Sequence, residues 1–380
     1  MLGRRNSIPI LYTKGTHYEV GYDMGRTFSG LIHSLLETEK DLQQFLAAWE
    51  TPSGRKGYDD TLHCCQTNFP QYVRELQGIA DGAKVPFHEL FLWHMDDVIL
   101  AVAEKKPSDS PTGCSTVCVN ERGQEILGHT EDAYSSILNH FYLVSAHIIE
   151  KEPQGKWGSK EEKFTSLCYA GHLPGYTMGY NHHGLVFSIN TLSVKRLLTG
   201  KTPRYFLTRA LLGAENYVQV QQILRDSGCG AGNGCSINAT FLKQEGSRMM
   251  HNIEMAPATS DQVNESQLSI LTIGPGECTF HANSYLRLQV DEANIGMTQN
   301  SKARLACFKR CPTPKTEKDV RQILSDKSDS KNPIFRDRKD DFVQTICCGI
   351  FNLTEKTWSL YADVPQDNEP LVVLPLKLKN

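Results

Sequence analysis

A thiol placed directly after a glycine, Gly113-Cys114 in the run Pro111-Thr112-Gly113-Cys114-Ser115-Thr116-Val117-Cys118-Val119, has what is needed to cut its own chain. Glycine has no side chain to block a close approach to its backbone. If the Cys114 sulfur takes the Gly113 acyl group from the Cys114 nitrogen and water then releases it, Cys114 becomes a new N-terminus. Thiol and α-amine then sit on one residue. A free α-amine titrates at about 7.7 to 8.0 and a cysteine thiol at about 8.5, so this amine can take the thiol proton close to neutral pH. On the dipeptide alone, the competing reading is a core cysteine at the start of a strand.

The texture of the chain changes at Cys114. Before it, apolar residues recur at helical spacing through Leu31, Ile32, Leu35 and Leu36 and through Leu42, Phe45, Leu46 and Trp49, until Pro52-Ser53-Gly54 breaks the pattern. Helices are expected again at 72–83 and, after Pro86, at 88–104, followed by an exposed and cuttable polar loop over 105–111. After Cys114, short β-branched and aromatic runs predict strands at 115–119, 125–128, 142–149, 164–169, 177–180 and 185–189. Helices return at 203–212 and 214–226, the second stopped by Gly228. Strands at 236–242, 249–254 and 268–273, helices near 301–309 and 317–325, and a hairpin of 342–351 and 357–362 complete the pattern. Strand blocks bounded by helices suit two sheets packed together under outer helices. The charged stretch 326–341 reads as a solvated loop. The glycine-rich 228–234 reads as a flexible turn, because it leaves a helix for a strand, the reverse of a phosphate cradle.

With 380 residues, 39% hydrophobic and 22% charged, and a formal net charge of −3, the chain has ample sequence for a buried core and no basic excess. That balance argues against nucleic acid and anionic membranes and for a small-molecule partner. The longest uncharged apolar run in a helical stretch, 98–103, falls far short of the roughly 20 residues of a membrane span. Arg4 and Arg5 precede only the short apolar stretch 8–12, so no secretory signal is read and the expected compartment is the cytosol. Twelve cysteines in such a chain are expected to be mostly reduced. They include no Cys-x-x-Cys pair, and the adjacent His182-His183 should point apart, so neither a metal nor another cofactor is expected.

Several short motifs now fall into order. Gly15-Thr16-His17-Tyr18-Glu19-Val20-Gly21 with Gly25, then Glu75-Leu76-Gln77-Gly78-Ile79-Ala80-Asp81-Gly82, then Gly113-Cys114-Ser115-Thr116, together resemble the acyl-coenzyme A:6-aminopenicillanate acyltransferase family of N-terminal-nucleophile hydrolases. Within it, the chain is most similar to the branch of insect β-alanyl-dopamine hydrolases. The resemblance implies an α+β, four-layer αββα sandwich with a helical N-terminal leader. Residues 1–113 would be released as a small subunit and 114–380 would form the catalytic large subunit, the two staying together as a heterodimer, or as a dimer of such pairs. It also implies Cys114 as nucleophile. Asp132, in Gly128-His129-Thr130-Glu131-Asp132, would hold the Cys114 α-ammonium, as a third group orients a triad. His129 departs from the arginine that the family carries there and is a candidate substrate contact, or else a structural histidine. Oxyanion donors would be Asn283, in Phe280-His281-Ala282-Asn283, and Asn190 at a strand end, whose alternative is a plain turn former. Tyr176, in Leu173-Pro174-Gly175-Tyr176, resembles part of a cleft-lining loop. Arg304 stands where relatives keep an arginine near the site, or is an exposed helix residue.

The implied function is an autoprocessed amidohydrolase that cleaves a small N-acyl amine of β-alanyl-dopamine or β-alanyl-histamine type through a cysteine thioester. Transfer of the acyl group to another amine is the near alternative. A papain-like protease using Cys114, His281 and Asn283 and a non-catalytic ligand-binding member of the fold are the distant ones.

Overall fold

The computed structural model describes residues 3–103, 113–260, 262–293 and 295–378. Strand β1 (Ile10–Gly15) leads into helix α1 (His17–Thr27), whose start is fixed by a reciprocal cap. The Thr16 hydroxyl accepts from the Glu19 N–H while the Glu19 carboxylate accepts from the Thr16 N–H. Helix α1 then lies in backbone contact with α5 (Pro70–Ala83). A Cβ on Gly21 would stand 2.0 Å from the Glu75 carbonyl oxygen, and one on Gly25 2.2 Å from that of Ile79. From the facing helix, Gly78 and Gly82 would meet the Tyr18 and Tyr22 carbonyls at 2.2 and 2.3 Å. The glycines of the two motifs are therefore what let these helices touch.

Helices α2 (Ser29–Thr38), α3 (Lys40–Trp49), α4 (Pro52–Asn68) and α6 (Phe87–Val102) complete the leader layer. Pro52-Ser53-Gly54 interrupts the pattern by starting a helix. Thr51 accepts from the Gly54 N–H, and Pro52 takes the first turn, where a missing N–H leaves nothing unbonded. The loop expected at 105–111 lies outside the described residues.

One sheet runs β1–β4–β5–β6–β7–β8–β9–β10, with β4 (Phe141–Gln154), β5 (Ser159–Tyr169), β6 (Met178–Asn181), β7 (Leu185–Leu192), β8 (Gly234–Phe241), β9 (Met250–Ala256) and β10 (Gln267–Ile273). Here β1 pairs parallel to β4, so the leader supplies an edge strand as well as helices. The other sheet runs β11–β2–β3–β12–β13–β14, with β2 (Ser115–Glu121), β3 (Gln124–Tyr134), β11 (Glu277–His281), β12 (Val343–Asn352), β13 (Thr357–Tyr361) and β14 (Val372–Pro375). Strands β1, β11 and β14 are short edge strands that periodicity does not pick out.

Strand alternation sorts the side chains into layers. On β4, Tyr142, Val144, Ala146 and Ile148 pack on the leader helices with α7 (Arg204–Leu211) and α8 (Tyr217–Arg225), whereas Phe141 and Leu143 meet the second sheet. On β2, Cys118 faces the first sheet while Val117 and Val119 lie under α9 (Ile295–Arg310) and α10 (Glu317–Leu324). The order is helices, sheet, sheet, helices, the αββα sandwich expected.

Two loops differ from their sequence reading. Helix α8 ends on Asp226 in the left-handed region, φ 47°, two residues before Gly228, and Thr202 and Lys156 hydrogen-bond the Asp226 carboxylate. Beyond it, residues 229–234 are buried and held by backbone bonds such as Gly232 N–H to Thr202 O, so this turn is fixed in place. The charged stretch 326–341 likewise hides Ile334, Phe335 and Arg336 between its solvated ends.

Candidate active site

Cys114 stands at the entrance to β2 with its side chain on the wall of a cleft of about 240 Å³. Burial pushes the thiol well above its ordinary value, and Glu131 and Asp132 add to this. The Asp132 backbone N–H and Arg304 pull the other way without overcoming it. In the uncut chain the sulfur is a protonated thiol, and attack requires a base.

Behind the cysteine, Arg304 of α9 is fully buried, not an exposed helix residue. Its Nη1 donates to the Cys114 carbonyl and to Ser115 Oγ, both at 2.7 Å, Nη2 donates to Asn283 Oδ1 at 2.7 Å, and Nε donates to Asn300 Oδ1 at 2.8 Å. Burial lowers its pKa to about 10, so it stays a cation at neutral pH. Asn283, just beyond β11, is fixed by Ser301 Oγ at its backbone N–H, and its Nδ2 donates to Thr191 O at 3.0 Å. An amide Nδ2 carries two hydrogens. The same side chain explains Gly113, where a Cβ would stand 1.9 Å from Asn283 Oδ1. Asn283 and Arg304 thus flank the Gly113–Cys114 peptide.

Asp132 lies on β3 opposite a bulge in β12, where Thr345 pairs with Asp132 and Cys347 with Glu131, leaving Ile346 as the extra residue. The Thr345 hydroxyl donates to Asp132 Oδ1 at 2.6 Å, and Arg336 Nε is 3.7 Å from Oδ2. Oδ2 itself, buried, has no hydrogen-bond partner among the described residues. Burial raises this carboxyl to about 6 against the pull of Arg336 and Arg304.

His129 is buried one position from the thiol strand, with Nδ1 2.8 Å from Thr116 Oγ1 and Nε2 3.1 Å from Glu131 Oε2. It does not line the cleft. Its neighbour Glu131 does, and Tyr169 donates to Glu131 Oε1 at 2.6 Å. Cys114, His129 and Glu131 each bring one donor atom within 4.8 Å of the others, a cluster made by β2–β3 pairing that linear spacing does not foreshadow. Asn190 lies inside β7, not at its end, in the polar layer between the sheets. Its Oδ1 accepts from Thr116 and Asn238 at 3.0 and 2.8 Å, and the next residue, Thr191, reaches the cleft instead. Tyr176 lines the cleft, its hydroxyl 2.8 Å from Thr191 Oγ1. The papain-like triad is not assembled, because Cys114 enters a strand and the His281 ring is held by Glu254 at 3.1 Å and Ala282 O at 2.8 Å. The His182 and His183 rings lie with centroids 3.9 Å apart at a tilt of 38° instead of pointing apart, and the two residues occupy a turn.

The rest of the cleft was not legible in the sequence. Its walls carry Glu39, Asp41, Asp96, Asp97, Glu131 and Asp132 with the rings of Phe45, Trp93, Tyr134, Tyr169, Tyr176 and Tyr205. Among the described lining residues Arg204 is the one Lys or Arg, and Asp96 and Asp97 engage it. Asp96 sits inside α6 at φ 25°, ψ −105°, a conformation that helices do not adopt, and Asn233 donates to both carboxylates at 3.1 and 2.8 Å. The cleft is acidic and aromatic.

Residues 119–367 match the acyl-coenzyme A:6-aminopenicillanic acid acyl-transferase family. The whole chain is 49% identical, over 384 aligned residues and 99% of that protein, to the β-alanyl-dopamine/carcinine hydrolase of Drosophila melanogaster. Among solved structures, two variants of the conjugated bile acid hydrolase of Clostridium perfringens are similar at 10% identity and a TM-score of 0.37, over 70% of this chain and 98% of theirs. Among the described residues, no helix is long and apolar enough to cross a membrane.

Proposed function

The chain belongs to the acyl-coenzyme A:6-aminopenicillanic acid acyl-transferase family, and from that premise we propose that it is a self-processed cysteine amidohydrolase acting on N-β-alanyl amines. The observation that carries the reading is the position of Cys114, with the Gly113–Cys114 peptide flanked by Asn283 and Arg304 on one side and an acidic, aromatic cleft on the other.

Processing begins when the Cys114 sulfur attacks the Gly113 carbonyl carbon and the peptide nitrogen departs with a proton. Water then cleaves the thioester, leaving a Gly113 carboxylate and a free Cys114 thiol and α-amine. The free Asp132 Oδ2 is the acceptor for that new ammonium, which has no counterpart in the uncut chain. In turnover the α-amine takes the thiol proton, the thiolate attacks the amide carbon, and the ammonium returns the proton to the leaving amine. Water, deprotonated by the same amine, hydrolyses the thioester and releases β-alanine. The Asn283 amide donates to the oxyanion at both stages. Arg304, locked to the Cys114 carbonyl, holds the nucleophile's backbone in place. The substrate class follows from the acidic cleft and the 49% identical relative named for β-alanyl-dopamine and carcinine. The test is release of β-alanine and dopamine from N-β-alanyl-dopamine by the processed protein. Cys114→Ala should give an uncut, folded protein with no release, and release undiminished in that variant would refute the reading.

A further inference from the structure

In an N-β-alanyl derivative of an aromatic amine, one nitrogen is locked in the amide, and the permanent cation is the β-alanyl ammonium. That charge sits three bonds from the carbon under attack, about 3 to 4 Å away. The attacking sulfur must itself approach this carbon to about 3 to 3.5 Å. Whatever receives the ammonium must therefore stand beside Cys114.

Glu131 meets that requirement. One of its oxygens lies within 4.8 Å of the Cys114 sulfur, and the side chain lines the cleft. It is aimed from both ends, since Tyr169 donates to Oε1 at 2.6 Å and His129 Nε2 is 3.1 Å from Oε2. Each carboxylate oxygen keeps a further lone pair for a cation. Asp132, the other carboxylate next to the thiol, accepts from Thr345 at Oδ1, and its open Oδ2 is the place assigned above to the Cys114 α-ammonium.

Resting on the amidohydrolase reading above, we propose that Glu131, steered by Tyr169 and His129, is the receptor for an ammonium on the acyl half of the substrate. This subsite makes the chain select cationic ω-aminoacyl amides over neutral acyl amides of the same length. In a water-poor cleft the charge pair discriminates far more strongly than it would in solvent.

The experiment compares kcat/KM of the processed protein for N-β-alanyl-dopamine and for N-butanoyl-dopamine, in which a methyl group replaces the ammonium. Wild type should prefer the cationic amide. Glu131→Gln should cut the preference at least about 30-fold, chiefly through KM for the cationic amide. Tyr169→Phe, which keeps the carboxylate but removes one of its guides, should cut it about three- to tenfold. A preference unchanged in both variants, whether the two rates hold or fall together, overturns the subsite alone. Hydrolysis of neither amide by processed wild type overturns the reaction and the subsite with it.

Discussion

At the seam between the leader helices and the first sheet, Arg209 donates through Nε and Nη2 to Glu75 at 2.9 and 2.7 Å and through Nη1 to Glu162 at 2.8 Å. His17 Nδ1 lies 2.8 Å from Glu75, and Tyr72 donates to Glu162 at 3.0 Å. Around Cys114, equally buried groups are left open: Asp132 Oδ2, Arg336 Nε and Asn190 Nδ2 have no hydrogen-bond partner among the described residues. The titrations diverge accordingly. Burial would push Glu75 up, but Arg209 and His17 outweigh it and hold the carboxyl below its ordinary value, whereas burial wins at Asp132 and takes it to about 6. A satisfied buried network acts as a lock between residues on the two sides of Cys114. An unsatisfied one leaves buried polar atoms open to further partners.

The sharpest way to break this contrast is to open the lock. In the uncut Cys114→Ala background, Arg209→Met leaves Glu75 and Glu162 buried without their cation and should cost about 3 to 5 kcal/mol in urea unfolding. Asn283→Ala should act on rate instead. We expect kcat of the processed form to fall about 10² to 10³-fold, roughly 2.7 to 4 kcal/mol, with KM nearly unchanged. Stopped assays on fractions verified as cut decide it, and full kcat would remove Asn283 from the oxyanion hole.

The pH dependence of stability should carry opposite signs at the two places. Between the ordinary value of 3.8 and the folded value of about 6, folded Asp132 holds a proton that the unfolded chain releases, so its contribution falls as pH rises. Asp132→Asn in the Cys114→Ala background should therefore gain stability on its parent from about pH 4 to 6 and hold that gain above. Glu75, with its folded value depressed, contributes above its unfolded value and loses that contribution as the pH falls. Glu75→Gln should be least stable relative to its parent at neutral pH and approach it in acid. Urea midpoints across pH 4 to 8 separate the two, and parallel curves would contradict the contrast. The smallest effect is expected at Asn190→Ala, about 1 to 2 kcal/mol from unpairing Thr116 and Asn238, with kcat in the cut form within a few-fold of wild type.

Local chemistry made some of this legible in the sequence and long-range pairing hid the rest. Gly113-Cys114 and the glycine spacings at 21/25 and 78/82 are local patterns in the sequence, and each marks a place where a Cβ would collide with a distant part of the fold. Apart from the edge strands β1, β11 and β14, the strands followed from periodicity, as did most helices. Glu131 stood in the same motif as Asp132 and went unnoticed, because its meaning depends on Tyr169 from another sheet. Arg336 was hidden in a stretch whose charge suggested solvent, and Arg209 met Glu75 across 134 residues of sequence. The placement of Asn190 was hidden for a related reason. Its type suits an oxyanion donor, but its place within β7 sets it between the sheets.

The account stands most directly on the N-terminal sequence and mass of the larger fragment obtained when the 380-residue chain is expressed. It predicts a fragment of residues 114–380 beginning at Cys114, still associated with the leader, and carrying the amidase activity. An active chain that remains whole, or a larger fragment beginning at any other residue, would contradict it.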